Sequence, residues 1–321
     1  MTIAAAFWPR DHSALPPNVS RFFEVEPGTQ ILAKCNWQLE PRRAPALVIV
    51  HGLEGSSESD YARGIAVRAF AAGFNVLRMN QRNCGGTENL TPTLYNSGLS
   101  NDFRAVLMEL IQQDDLSEIF FAGHSMGGNL ILKMAGELGL LAPPQLRGIV
   151  AVGPSLDLAK CVDSCGLPRN WLYQWHFVSS LKRRMRRKQA LYPGTFKLDG
   201  LDRIRTLREF DDAITAPSCG YADAADYYHR ASALRVVDRI RVPTLIIAAK
   251  DDPLVPVESY SEPAIAGNSN ILVLLADHGG HCAFISNDSR ERHWAEARVV
   301  EFCREIHLQT EPNLPVSQAK G

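Results

Sequence analysis

Cysteine is scarce in this sequence, with seven in 321 residues and an odd count. That number is too small for a disulfide scaffold, so the cysteines read as reduced thiols of a cytosolic protein, and the expected location is cytoplasmic. Cys161-x3-Cys165 has no second Cys/His pair at ligand spacing after it, which argues against a zinc site. Long hydrophobic runs are missing too: none approaches the roughly 20 residues that cross a bilayer. Met1 to Phe7 is mildly apolar, but no basic segment precedes it and Trp8-Pro9-Arg10-Asp11 cuts it short, so neither a signal peptide nor an anchor is expected. Charge of either sign is not in excess. Lys+Arg 34 against Asp+Glu 35 gives a net charge of −1, and composition makes no case for nucleic acid as a partner. No internal repeat is visible, and no motif asks for a cofactor.

What is present is a chain with 45% hydrophobic and 21% charged residues, long enough to bury a large core. Residues 1–20 read as an N-terminal extension over the surface. Arg21–Val25 and Gln30–Gln38 then read as strands joined by Pro27-Gly28, an antiparallel hairpin. Ala46–Val50, Phe74–Asn80, Ser117–Ala122 and Gly148–Val152 are apolar runs of strand length, the mark of strands covered on both faces. Helices are expected between them at Asp60–Ala72, Arg104–Gln112 and Asn129–Leu138. This alternation predicts an α/β fold with a mostly parallel sheet and antiparallel strands at its N-terminal end.

The alternation stops at residue 155. Up to residue 239 there are helical stretches at Trp171–Ser180, Leu201–Phe210 and Ala222–Ala233 but no buried strand, which predicts a helical cap over the site. Strands resume at Pro243–Ala249 and Asn270–Ala276, and Trp294–His307 closes the fold. The expected division is a core of residues 21–154 and 240–308, a cap of 155–239 and a flexible tail of 309–321.

Gly123-His124-Ser125-Met126-Gly127 sits between a strand and a helix, the context of a nucleophile elbow. A sharp strand-to-helix turn strains the serine backbone, and a Cβ two residues to either side would collide with the neighbouring chain, so glycine is expected at 123 and 127. Serine is a poor nucleophile at its own pKa. A histidine must take its proton, and a carboxylate must orient that histidine. Asp252 and His281 follow later strands, in the chain order Ser, acid, His that such folds use. Asp251, Asp157 and Asp163 compete for the acid's role and His278 for the base's. Asp252 is favoured by its spacing to Val255 and the following Pro253, and His281 by the Gly279-Gly280 before it. The Met126 N–H, at a helix start, and the Leu53 N–H, in the loop His51-Gly52-Leu53-Glu54-Gly55, are the candidate oxyanion donors. The alternative for that loop is a plain strand end. Serine at the elbow speaks against a dehalogenase or an epoxide hydrolase, which need aspartate there.

The combination of His51 to Gly55, Asn80 to Gly86, Leu94 to Gly98, Gly123 to Gly128, Asp251 to Pro253 and Gly279 to His281 resembles the YheT-like branch of the α/β-hydrolase superfamily, over residues 21–307. The resemblance implies a serine esterase with Ser125, Asp252 and His281 as triad and Leu53 and Met126 as oxyanion donors. It also implies a small-molecule carboxylic ester as substrate, with short- to medium-chain acyl groups favoured. Acyl transfer to an alcohol, or action on phospholipid, are the neighbouring readings. Asn83 stands where relatives usually have glycine, and asparagine tolerates the left-handed region that the turn needs. Arg82 and Cys84 read as structural.

Within the cap, Trp171, Leu172, Tyr173, Trp175, Phe177 and Val178 precede Lys182-Arg183-Arg184-Met185-Arg186-Arg187-Lys188. Six basic residues in seven beside aromatics suit weak contact with anionic lipid. The competing expectation is a solvated face.

Overall fold

In a computed structural model, residues 8, 10–289 and 291–309 are described, and the expected flexible tail lies outside them apart from residue 309. One eight-stranded sheet organises the chain, in the order β1-β2-β4-β3-β5-β6-β7-β8. The strands are β1 (Val19–Glu26), β2 (Thr29–Asn36), β3 (Ala46–Val50), β4 (Asn75–Met79), β5 (Ile119–His124), β6 (Leu146–Val152), β7 (Thr244–Ala249) and β8 (Ile271–Ala276). β1 pairs antiparallel with β2, and β2 with β4. All other pairings are parallel. The mostly parallel sheet with antiparallel strands at its N-terminal end, read from the sequence, is therefore the observed one.

The continuous apolar runs became strands because helices cover both faces of the sheet. Every residue of β3, β4, β5 and β7 is buried. On one face pack α2 (Ser100–Gln112) and α3 (Met126–Leu138); on the other pack α1 (Asp60–Ala71) and α10 (Trp294–Leu308). α9 (Pro263–Ala266) is a single turn between β7 and β8. β8 is the edge strand and only half buried, with Leu272 62% exposed. β6 lies between β5 and β7 in the sheet, so the strand that leads into Ser125 is separated by one strand from the one that precedes Asp252.

Between β6 and β7 lie α4 (Leu158–Cys165), α5 (Trp171–Leu191), α6 (Leu207–Phe210), a π turn at Asp211–Thr215, α7 (Ala216–Ser218) and α8 (Ala224–Ala231). The expected helix at Leu201–Phe210 is broken. A 3-10 turn occupies Leu201–Arg203, and α6 begins afresh where Thr206 and Glu209 form a reciprocal capping box. The helix starting at Trp171 runs through the basic segment instead of stopping at Ser180. Leu181, Arg184, Met185 and Lys188, at helical spacing, form its buried face. Arg183, Arg186 and Arg187 face solvent.

Candidate active site

Ser125 stands between the last residue of β5 and the first of α3, with φ 51° and ψ −117°. A non-glycine residue in that region is strained and is kept there by its surroundings. The Ser125 N–H donates to Val152 O at 2.9 Å, and its own carbonyl accepts from Asn129 N at 3.0 Å and Ser155 N at 3.3 Å. The turn closes tightly enough to dictate both glycines. A Cβ on Gly123 would stand 2.5 Å from the Gly127 carbonyl, and one on Gly127 would stand 2.4 Å from Val50 O.

Against this hydroxyl lies His281, whose Nε2 is 2.9 Å from Ser125 Oγ and whose Nδ1 is 2.9 Å from Asp252 Oδ2. Asp252 follows β7, and its side chain is 1% exposed. Its other oxygen accepts from Leu254 N at 2.8 Å and Val255 N at 3.1 Å. A carboxylate only accepts, so the proton belongs on Nδ1 and the Nε2 lone pair faces the serine hydroxyl. Burial works against a charged His281, but the Cys282 and Asp252 side chains beside it outweigh burial and raise its pKa well above the ordinary histidine value.

The competing residues are placed elsewhere. Asp251 accepts from Gly279 N at 2.8 Å and Gly280 N at 2.7 Å, so it holds the backbone turn that presents His281. Those two amides keep it below its usual pKa despite partial burial. His278 is exposed and faces Asp251 at 3.6 Å. Asp157 accepts from Lys160 N at the start of α4, and Asp163 pairs with Arg208 at 2.6 Å.

The loop after β3 packs directly on the elbow, since a Cβ on Gly52 would stand 3.2 Å from Ser125 Cβ. Its donors are nearly all committed. Gly52 N–H donates to Tyr61 Oη at 2.9 Å, Glu54 N–H to Tyr95 Oη at 3.3 Å and Gly55 N–H to Gly52 O at 3.1 Å. Among the described residues the N–H of Leu53 and that of Met126 have no acceptor, and both residues line the cavity that holds Ser125 and His281. A backbone N–H without an acceptor can receive negative charge that develops on a bound molecule. His51 fixes the loop. Gln81 N–H donates to its Nε2 at 3.1 Å, so Nδ1 carries the proton given to Gly52 O at 2.7 Å. Burial lowers its pKa to about 4 and keeps the ring neutral. His124, stacked on Tyr61 at 4.2 Å, is lowered to about 3 by the same cause.

Two site-shaping residues, Glu54 and Arg184, were not legible as such. Glu54, with φ 58°, accepts from Tyr95 Oη at 2.5 Å and from Arg184 Nε at 2.8 Å. Arg184 also lies over the Tyr95 ring at 4.8 Å and donates to Asn83 O, so α5 is clamped to the loop that carries Leu53. The signal for Arg184 was its spacing from Leu181 and Lys188, which places it on an inward face. Asn83 has φ 62°, in the left-handed region anticipated for it. Arg82 grips Asp102 with two bonds of 2.7 and 2.6 Å and Glu26 with one of 2.6 Å, which braces the loop from below.

The cavity measures about 120 Å³. Its walls away from Ser125 are mainly apolar, with Leu158, Val162, Phe177, Leu181, Met185 and Phe210 from the insertion.

The family profile described as alpha/beta hydrolase fold matches residues 45–288. YheT of Escherichia coli (strain K12), which carries the name of an esterase, is 35% identical over 272 residues, 83% of this chain and 79% of that protein. A Saccharomyces cerevisiae protein named medium-chain fatty acid ethyl ester synthase/esterase 2 is 28% identical over 80% of this chain, and the match spans only 61% of that protein. Among solved structures, a Pyrococcus furiosus esterase superposes with a TM-score of 0.61 over 93% of both chains, at 17% identity.

Proposed function

This chain belongs to the α/β-hydrolase family, on its YheT-like branch, and from that premise we propose that it is a serine esterase that cleaves carboxylic esters. The observation that carries this reading is the contact of His281 Nε2 with Ser125 Oγ at 2.9 Å, backed by Asp252 at 2.9 Å on the ring's other nitrogen. His281 accepts the hydroxyl proton as Ser125 Oγ attacks the ester carbonyl. The negative charge that develops on the carbonyl oxygen is received by the N–H groups of Leu53 and Met126. The imidazolium, stabilised by Asp252, gives its proton to the departing alkoxide and leaves an acyl-serine. Water, activated by the same imidazole, then releases the acid.

The mainly apolar walls of the cavity favour short- to medium-chain acyl groups over charged ones. A nitrophenyl ester series of increasing acyl length tests nucleophile and pocket together. Wild type is expected to peak at short to medium chains, and Ser125→Ala to be inactive on all of them. Equal rates for the two proteins would contradict the proposal. The yeast relative's name, which joins synthase to esterase, supports a second reading in which an alcohol takes water's place at the acyl-serine. Ester formation on adding ethanol or glycerol would distinguish it.

A further inference from the structure

One carboxyl in the cavity takes no part in the chemistry just described. Asp211 opens the π turn that follows α6 and lines the same cavity as Ser125 and His281. Thr215 Oγ donates to its Oδ1 at 2.7 Å, and Tyr228 Oη to its Oδ2 at 2.7 Å. Among the described residues no lysine or arginine pairs with it. Arg208 lies over the Tyr228 ring at 5.2 Å but gives its ion pair to Asp163. Asp212 turns away to accept from Ala224 N at 2.7 Å.

A carboxylate offers about four lone-pair sites, and the two hydroxyls fill two. Leu207, Phe210 and Leu158 line the same cavity and supply no donor. Burial pushes the Asp211 pKa up to about 6, with the two hydroxyls resisting. A carboxyl on the wall of a mainly apolar cavity, with half its acceptor sites open, gains most from a donor brought by the ligand. The π turn adds an independent pointer, since such turns concentrate at functional sites.

We propose that Asp211, oriented by Thr215 and Tyr228, is a specificity-determining residue that binds a hydrogen-bond donor, a hydroxyl or an ammonium, carried by the ester substrate away from its scissile bond. This rests on Ser125 being the nucleophile in the same cavity. It makes the preferred substrate an ester with a polar donor on its acyl or alcohol part, not a plain alkyl ester.

The test uses the full-length protein and two matched ester series, one varied on the acyl side and one on the alcohol side. Each contains members of equal length ending in methyl, hydroxyl or ammonium. In at least one series the wild type should favour a donor-ended ester over the methyl-ended one by about tenfold or more in kcat/KM, the scale of a hydrogen bond to a charged group. Asp211→Asn, which keeps the shape, should abolish a preference for ammonium and weaken one for hydroxyl; Asp211→Leu should erase both. The ratio within one variant is the readout, so a general loss of activity does not imitate the effect, and Asp211→Asn decides if the leucine variant does not fold. Methyl-ended esters turned over as fast as the others by wild type, or a preference unchanged in Asp211→Asn, would overturn the proposal. Cleavage without discrimination sinks this inference alone. No cleavage of any ester sinks the Ser125 reading and this inference with it.

Discussion

At the ends of β5, β7 and β8, side chains are held by backbone with no slack. Ser125 sits in a strained turn where the flanking glycines admit no Cβ, Asp252 is pinned by two amides, and the turn before His281 is pinned by Asp251. Across the cavity, the helices between β6 and β7 are held by long side chains. Arg184 reaches Glu54, Lys188 reaches the carbonyls of Glu88 and Thr91, and Arg187 reaches Glu88 at 2.8 Å. The comparison separates two tasks. Reacting atoms need sub-ångström placement, which strand ends and main-chain bonds provide; recognition of the rest of a substrate tolerates a wall built on side-chain contacts.

If that division is right, the largest effects come from the strand ends and leave folding intact. Ser125→Ala and His281→Ala are each expected to lower kcat by about 10⁴-fold or more, by analogy with triads that act as a unit, with an unchanged thermal midpoint. Asp252→Asn should cost about 10³- to 10⁴-fold and also move the pH profile. The reacting form needs neutral His281, so activity rises as pH climbs through its pKa, which lies above 6.5 in the wild type. Removing the carboxylate that favours the imidazolium lowers that pKa, so the limb should shift to lower pH while the plateau falls.

The insertion side should respond in the opposite way, with stability moving as much as activity. Arg184→Met leaves Glu54 buried without its ion-pair partner and is expected to cost about 3 kcal/mol in chemical denaturation, with a rate loss of about 10- to 100-fold as the Leu53 loop relaxes. Adding Glu54→Gln should restore much of the stability. A triad-sized rate loss with no loss of stability would erase the distinction between the two regions. The smallest expected effect concerns lipid. Trp171 and Trp175 are 64% and 60% exposed, and Arg183, Arg186 and Arg187 face solvent further along the same helix. We propose a weak contact there with anionic lipid, seen as a severalfold excess recovery on anionic over neutral vesicles at low salt that disappears at high salt. Equal recovery would end that idea.

Legibility in the sequence followed the same divide. Gly-x-Ser-x-Gly, Asp-Asp-Pro and Gly-Gly-His each follow an apolar run of strand length, and a strand's end is a point that periodicity locates to within a few residues. The structure places Ser125, His281 and Asp252 in one hydrogen-bonded chain. The sheet order was not legible, because β6 and the edge position of β8 depend on crossovers that leave no local trace. The basic run misled for a different reason. Composition made it a charged surface, whereas the 3.6-residue period turns Arg184 and Lys188 inward to partners 130 and about 100 positions away. Asp211 carries no motif; its chemistry comes from Tyr228, on a different helix.

The claim on which the rest depends is that Ser125 is the one hydroxyl activated for attack. Intact-protein and peptide mass spectrometry after treatment with a fluorophosphonate tests it most directly. The account predicts a single adduct on the peptide containing Ser125, greatly slowed in His281→Ala and absent in Ser125→Ala. An adduct on another residue, or ester cleavage that persists in Ser125→Ala, would contradict it.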